Sequence, residues 1–292
     1  MNEFMYVAES LRKRIESSIF GLGLLSRVFA RGKDKKSIDK KINAKPGKYN
    51  IGGKLIQDCV GIRVVLYFPD DVEIVERALK SSFEYLAKDS SIDVVDEDTF
   101  SVIRRNLIFR VPEENIVEMS RKSSATMPID TTFEVQIRTV LSEGWHEVEH
   151  DLRYKCQEHW EGHSDMNRAL NGVMATLETS EWSMLRIFEE MAFRHYKSKN
   201  WVGMIHTRLR MRASPNLNGD ICALLDKDNL IAKQLYRIDR SLVIALIQKH
   251  KLRLPITVDN IVYLWNHVKI RSPEISLLAP GLVVDILSEI DS

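Results

Sequence analysis

The segment "TFEVQIRT" (132–139) alternates apolar side chains with Glu134, Gln136 and Arg138. Because successive strand residues point to opposite faces of a sheet, this pattern predicts a strand that holds a carboxylate, an amide and a guanidinium in one row. Two interpretations remain open for the segment alone. The polar row either meets solvent, as on many half-buried strands, or lines a cleft.

A second candidate carboxylate is Asp58, at the entrance to the apolar stretch "VGIRVVLYF" (60–68). An aspartate at such a point often serves as a turn residue or a cap. With a second carboxylate on a neighbouring strand, it would also offer the oxygen ligands that Mg²⁺ prefers while water and phosphates complete the coordination. Asp58 and Glu134 are therefore a candidate Mg²⁺ pair.

The basic segment "ARGKDKKSIDKKI" (30–42) supplies candidate phosphate ligands. Arg31 offers a bidentate fork, and Lys33 and Lys41 offer mobile point charges. Ser37 can cap a helix, and a helix N-terminus favours anions. The alternative is a solvated, lysine-rich loop.

The fourth segment, "GWHEVEHDLRYK" (144–155), predicts a helix with His146 and His150 one turn apart. The adjacent pair His150 and Asp151 would suit a metal phosphohydrolase only if further His and Asp ligands stood at helical spacing, and none is evident. We therefore do not expect a metal centre of that kind.

Taken in their order along the chain, the four segments resemble the synthetase domain of the RelA/SpoT family, over about residues 25–155. The family patterns R-x-K-x-x-x-S-I-x-x-K, D-x-x-G-x-R, E-I-Q-I-R-T and W-A-x-x-x-H-x-x-x-Y-K correspond here to the segments 31–41, 58–63, 134–139 and 145–155. The resemblance implies a nucleotidyltransferase-like fold that binds ATP and Mg²⁺. It also implies transfer of the β,γ-pyrophosphate of ATP to the ribose 3′-hydroxyl of GDP or GTP, which makes (p)ppGpp.

The resemblance also implies roles for single residues. Asp58 would hold Mg²⁺, and Glu134 would share the metal or accept the proton of the 3′-hydroxyl. The ATP phosphates would be bound by Arg31, Lys33, Ser37, Lys41 and Arg63. The remaining cleft residues would be Gln136, Arg138, His150, Tyr154 and Lys155.

One family motif, G-Y-x-S-x-H, is altered in this chain. In the family its tyrosine stacks on the acceptor guanine, whereas alignment on "NLIF" (106–109) puts Val102 at that position and Asn106 at the histidine. Arg104 and Arg105 are extra bases there, and we expect them to contribute to nucleotide binding. Two alternatives to alarmone synthesis stay open: another acceptor, such as a different nucleotide or an RNA 3′ end, or a catalytically decayed nucleotide-sensing module.

The elements that must position these residues indicate an α/β (α+β) fold. Apolar periodicity predicts helices at 3–20, 69–86 and 141–155, with strands at 26–33, 60–68, 101–111 and 132–139. We expect a nucleotidyltransferase-like mixed sheet flanked by helices in residues 1–160. A long helical segment that packs on or extends from it should follow in 161–213, and a small helical C-terminal module in 214–292.

The bulk composition is that of an ordinary globular protein, with 44% hydrophobic residues, 28% charged residues and a net charge of +1. We find no apolar run of the roughly 18–20 residues that span a bilayer. Three scattered cysteines (Cys59, Cys156 and Cys222) argue against a disulfide framework, so we expect a cytoplasmic protein. The expected partners are ATP and a nucleotide acceptor; RNA, self-association and a protein partner at the C-terminal helices stay open.

Overall fold

A computed structural model of the chain describes residues 4–92, 105–122, 127–214 and 216–290. The chain divides into two compact units, one formed by Met1–Ser18 with Ser26–Glu181 and the other by Ile19–Leu25 with Trp182–Ser292. The predicted boundaries at 160/161 and 213/214 stay predictions.

In the residues that the structure describes, the first unit is built on a mixed five-stranded sheet. Its strands are β1 (Ser26–Gly32), β2 (Val60–Leu66), β3 (Ser91–Ile92), β4 (Arg105–Arg110) and β5 (Thr132–Thr139), in the spatial order β1-β2-β5-β4-β3. Strands β2 and β5 run parallel, and the other neighbours are antiparallel. The predicted mixed sheet is confirmed. Of its interior strands, β5 carries Glu134 and β2 follows Asp58.

Helices flank this sheet. They are α1 (Met5–Gly21), α2 (Lys35–Ala44), α3 (Val72–Ser82), α4 (Glu113–Lys122), α5 (Val140–Leu152) and the first part of α6 (Ser164–Lys197). The apolar face of α1 is buried, and the helix begins against the end of β1. A Cβ atom on Gly32 would lie only 2.5 Å from the backbone nitrogen of Met5, so this approach requires glycine.

The apolar face of β5 forms the centre of the core. Phe133 is fully buried, and its ring centroid lies 5.3 Å from that of Phe83 and 5.5 Å from that of Phe109. Val135 and Ile137 are buried on the same face. The predicted alternation along 132–139 is therefore confirmed, and the polar row of β5 is free to face the other side of the sheet.

Two local features differ from the sequence-based expectation. Helix α4 was not predicted, although Pro112 and two glutamates in its first turn are ordinary helix-start signals. Ser37 does not cap α2, because Asp34 is the N-cap and its carboxylate accepts the Ser37 N–H at 2.7 Å. Asp34 accepts this bond because it stands three residues before Ser37, the spacing of an N-cap and its N3 donor.

Among its described residues, the second unit is helical. It contains the end of α6 and then α7 (Trp201–Leu209), α8 (Gly219–Lys227), α9 (Asn229–Tyr236), α10 (Arg240–Lys249), α11 (Val258–Trp265), a π-helical turn (Asn266–Ile270), α12 (Pro273–Leu278) and α13 (Gly281–Ser288). Trp201, Leu235, Val262 and Trp265 are among its buried side chains. The expected helical C-terminal region is confirmed. None of the described helices is both long and apolar enough to cross a membrane.

Candidate functional site

The polar row of β5 continues across the neighbouring strands. In the parallel pairing of β2 with β5, Gly61 lies opposite Glu134 and Arg63 lies opposite Gln136. In the antiparallel pairing of β1 with β2, Arg31 lies opposite Gly61. Because directly paired residues point to the same face of a sheet, these residues form one polar surface over three strands.

Asp58 lies beside this surface, two residues before β2, and holds two lysines. The Lys33 ammonium donates to the Asp58 carboxylate at 2.7 Å, and the Lys41 ammonium donates to both carboxylate oxygens at 2.8 Å. Lys33 follows β1, where its backbone N–H donates to the Cys59 carbonyl at 2.8 Å, and Lys41 belongs to α2. Burial opposes ionisation of Asp58, but the lysine hydrogen bonds dominate and lower its pKa below the ordinary value.

The environment of Glu134 acts in the opposite direction. Burial and the neighbouring charge of Asp58 raise the pKa of Glu134, although a 3.2 Å hydrogen bond from the Gln136 amide and the charges of the two lysines oppose the shift. Asp58 is therefore the carboxylate that stays ionised, and Glu134 is the stronger base. A pair of carboxylates whose pKa values diverge in this way can divide metal binding and proton transfer between them.

Hydrogen bonds extend the surface from β5 to α5. The Arg138 guanidinium donates to Gln136 at 3.4 Å and to Glu143 at 3.0 Å. Glu143 also accepts a hydrogen bond from Arg63, and so does Glu147, one turn later on the same helix. The cationic side chains of this part of the surface are thus paired with carboxylates of the chain itself.

Helix α5 follows β5 without a loop. Thr139 ends the strand and is also the N-cap of the helix, where it forms a capping box with Ser142: the Thr139 hydroxyl accepts the Ser142 N–H at 3.2 Å, and the Ser142 hydroxyl accepts the Thr139 N–H at 3.0 Å. Glu181 of α6 is buried beside this cap: burial raises the pKa of its carboxyl, and the Thr139 hydroxyl and the backbone of the first turn of α5 oppose the shift. These contacts fix Glu143 relative to Arg138.

Three rings stack along α5 and the turn after it. The centroids of His146 and His150 are 5.8 Å apart, as are those of His150 and Tyr154. Burial, together with the charges of Arg138 and His150, lowers the pKa of His146 to about 4. His146 is therefore neutral at neutral pH.

The residues suggested by the sequence fall into three groups. The structure brings together Lys33, Lys41, Asp58, Glu134 and Gln136, with Arg63 and Arg138 joined through hydrogen bonds and Arg31 exposed on the same face of the sheet. Ser37 lies in the first turn of α2. His150, Tyr154 and Lys155 form a second, more exposed group, in which His150 and Lys155 bind Asp151 at 3.0 Å and 2.6 Å.

Arg105 is not brought to this surface. It lies opposite Ile137, on the buried face of β5, and its guanidinium binds Glu76 of α3. The expectation that Arg105 contributes to nucleotide binding is therefore corrected, because strand alternation turns it to the other face. Its neighbour Asn106 lies opposite Gln136 on the polar face, and Arg104 and Val102 fall outside the described residues.

Glu143, Glu147 and His146 belong to this surface but were not predicted to do so. On α5, the sequence suggested the histidines as possible metal ligands and did not point to the two glutamates. The available signal was their i,i+4 spacing directly after the polar strand, which places both carboxylates on one face of the helix.

The protein side chains of this surface would supply only some of the ligands that Mg²⁺ needs. No cluster of three or more His, Cys, Asp or Glu side chains able to hold a metal occurs in the part of the chain that the structure describes. Asp58 and Glu134 offer two carboxylates, and Mg²⁺ commonly takes its other ligands from water and phosphate oxygens. Burial is the main cause of the raised pKa of Glu134, and a dication would offset the second cause, the charge of Asp58. Cys59, next to Asp58, is no competitor, since burial raises its thiol pKa to about 12.

Comparisons with known proteins match the part of the chain that holds this surface. Residues 30–159 match a family model described as "Region found in RelA / SpoT proteins". The match confirms the resemblance indicated by the four motifs. It includes every residue of the polar surface described above, from Arg31 to Glu147. No curated protein matches the chain.

Several solved structures are similar to this chain. Small alarmone synthetase 1 from Bacillus subtilis is 19% identical over 63% of this chain and 92% of that one, with a TM-score of 0.47. A structure of the same synthetase bound to its product pppGpp is 20% identical over 65% and 95%, with a TM-score of 0.48. A GTP pyrophosphokinase family protein from Streptococcus pneumoniae is 20% identical over 64% and 89%, with a TM-score of 0.44.

Proposed function

We propose that this protein is a cytoplasmic, Mg²⁺-dependent pyrophosphokinase that transfers the β,γ-diphosphate of ATP to the ribose 3′-hydroxyl of a guanosine nucleotide, giving a (p)ppGpp-type alarmone. The observation that carries the proposal is the meeting of Lys33 and Lys41 at Asp58, beside the polar row of β5 that holds Glu134. The RelA/SpoT match over the same residues supports it.

In the proposed reaction, Glu134 accepts the proton of the 3′-hydroxyl. The 3′ oxygen attacks the β-phosphorus of ATP, the bond from that phosphorus to the α,β-bridging oxygen breaks, and AMP leaves with the electron pair. A raised pKa makes Glu134 a better proton acceptor than an ordinary carboxylate. A Mg²⁺ ion held by Asp58 would supply charge neutralisation at the phosphates.

The cations of the surface neutralise the donor phosphates, which is most of what phosphoryl-transfer chemistry asks of a protein. Without ligand, Lys33 and Lys41 bind Asp58. The phosphates of an incoming donor would take the place of Asp58 at the two lysines, and Asp58 would then be free to hold Mg²⁺. Each charge keeps a partner of opposite sign in this exchange. Arg31 and Arg63, on the same face, are the further phosphate ligands.

A second candidate keeps the donor and changes the acceptor to another nucleotide or an RNA 3′ end. It is favoured by Val102, which stands where the resemblance expects a stacking tyrosine and offers no aromatic face. Base stacking of that kind contributes roughly 1–3 kcal/mol per base. If a guanosine nucleotide is the acceptor, Val102→Tyr should lower its KM; if it is not, the substitution should bring no gain.

One experiment tests both candidates. The full chain is incubated with γ-³²P-ATP and Mg²⁺, plus GDP, GTP, other nucleotides or tRNA in separate reactions, and the labelled products are resolved. Label on GDP or GTP supports alarmone synthesis, and label on another nucleotide or on RNA supports the second candidate. Absence of transfer to any acceptor contradicts both and favours a nucleotide-sensing module. Glu134→Gln is the control that should transfer no label.

A further inference from the structure

The Arg63 guanidinium is held by two carboxylates of α5. Glu143 and Glu147 both accept hydrogen bonds from the same nitrogen, Nη1. The two acids differ in their surroundings: the Glu143 side chain is 16% exposed and also binds Arg138, whereas the Glu147 side chain is 52% exposed. Of the two, Glu147 is the one that can leave Arg63 without breaking the Arg138 contact.

This pairing conflicts with phosphate binding at Arg63. Arginine binds phosphate best through two parallel N–H···O bonds. Nη1 carries two N–H groups, and here both are directed at carboxylates. A phosphate that binds Arg63 end-on, across Nη1 and Nη2, must therefore displace a carboxylate from Nη1. A phosphate on the Nε–Nη2 edge leaves both carboxylates in place and meets their negative charge nearby.

We propose that Glu147 is an internal competitor of the donor: it occupies Arg63 in the ligand-free protein and thereby sets the affinity for the nucleoside triphosphate. The inference rests on the proposed function, since it takes Arg63 as a phosphate ligand. In this role Glu147 sets the affinity for the donor and does not take part in bond making or breaking.

A purely structural role predicts a different outcome from competition. A half-exposed ion pair contributes little to folding, so loss of the Glu147 charge should leave the Tm unchanged. The same loss removes both a competing partner and a repulsive charge. We expect Glu147→Gln to lower the donor Kd and KM about threefold to tenfold, with kcat changed less than about twofold.

The test is calorimetric titration of the full chain with a non-hydrolysable ATP analogue and Mg²⁺. The variants are Glu147→Gln, Arg63→Gln and the double substitution, with Glu149→Gln as the matched control. Glu149 lies on the same helix and pairs with Arg153 at 3.3 Å, away from Arg63. Tighter binding in Glu147→Gln, no change in Glu149→Gln and loss of the gain in the Arg63→Gln background support the inference.

Two results overturn it, and they are distinguishable. If the wild-type protein binds the analogue but Glu147→Gln binds it no more tightly, or gains as much without Arg63, competition at Arg63 is wrong and the proposed function stands. If the wild-type protein does not bind the analogue even at millimolar concentration, the proposed function falls and the inference falls with it.

Discussion

Gly61 lies directly opposite Glu134 in the parallel pairing of β2 with β5. A Cβ atom on Gly61 would meet no heavy atom closer than the Arg31 carbonyl oxygen at 3.7 Å, so packing around the Cβ position does not require glycine here. We expect Gly61→Val to fold with unchanged or slightly higher stability, because valine favours strands.

The same substitution should lower the transfer rate at least about tenfold, since its methyl groups would occupy space beside the proposed base. Steady-state kinetics and thermal unfolding measure the two effects. Gly144→Ala, on an open part of α5, is the control that should stabilise by about 0.4–1 kcal/mol and leave the rate unchanged. A fully active Gly61→Val protein would place the reacting groups elsewhere.

Glu134→Gln separates activity from stability. Loss of the proposed base should reduce transfer by roughly 10²–10⁴-fold. The raised pKa means that folding favours protonated Glu134, so its contribution to stability is present below the ordinary pKa and is lost as pH rises through the folded-state pKa. Urea unfolding at pH 8 should therefore find Glu134→Gln at least as stable as the wild type, with the difference closing in acid.

The exposed pair Glu84 and Arg110 supplies the control for that measurement, because Glu84→Gln removes a carboxylate with little burial. A Glu134→Gln protein that is clearly less stable at pH 8 would show that the Glu134 charge is well compensated, contrary to the environment described for it.

Arg31→Ala should weaken binding of a non-hydrolysable ATP analogue. Loss of a charge-assisted phosphate contact costs about 1.5–3 kcal/mol, which calorimetry resolves. Arg27 is the matched control: it is exposed on the same face of β1 but lies opposite Val65, away from Gly61. Equal affinity losses in Arg27→Ala and Arg31→Ala would indicate general electrostatic attraction and not a phosphate ligand at Arg31.

His146 should make the protein sensitive to acid. Its pKa falls from 6.5 to about 4 on folding, so the unfolded chain takes up the proton first and stability decreases as pH falls through this window. Allowing for solvent screening, the loss from pH 7 to pH 5 should be about 1–2 kcal/mol, and His146→Gln should abolish it.

Urea unfolding at both pH values measures the effect of His146→Gln. His159→Gln is the control, since that ring is 72% exposed. The same loss of stability from pH 7 to pH 5 in the His146→Gln protein as in the wild type would assign the acid sensitivity to other groups.

Much of the site could be predicted because its signals are local. The alternation of Phe133, Val135 and Ile137 with polar residues identified β5, because the strand period is determined by neighbouring residues. The meeting of Lys33 and Lys41 at Asp58 was not predicted, since the sequence suggested phosphate as the partner of both lysines.

The remaining features depend on contacts distant in sequence. The Arg63 contacts with Glu143 and Glu147 arise only when β2 pairs with β5 and α5 follows, and no periodicity encodes that meeting. The face on which Arg105 lies depends on the register of β4, where a shift of one residue would exchange it with Asn106.

The parallel pairing of β2 with β5 also determines when the carboxylate pair can form during folding. Parallel strands need a long connection, and here that connection includes α3, β3, β4 and α4. The lysines can reach Asp58 through the nearer β1, α2 and β2, whereas Glu134 joins them only after a chain closure that is slow by its topology. A nascent chain that has not reached β5 can therefore hold Lys33 and Lys41 at Asp58 but lacks Glu134, so the proposed base joins the site after the proposed phosphate ligands.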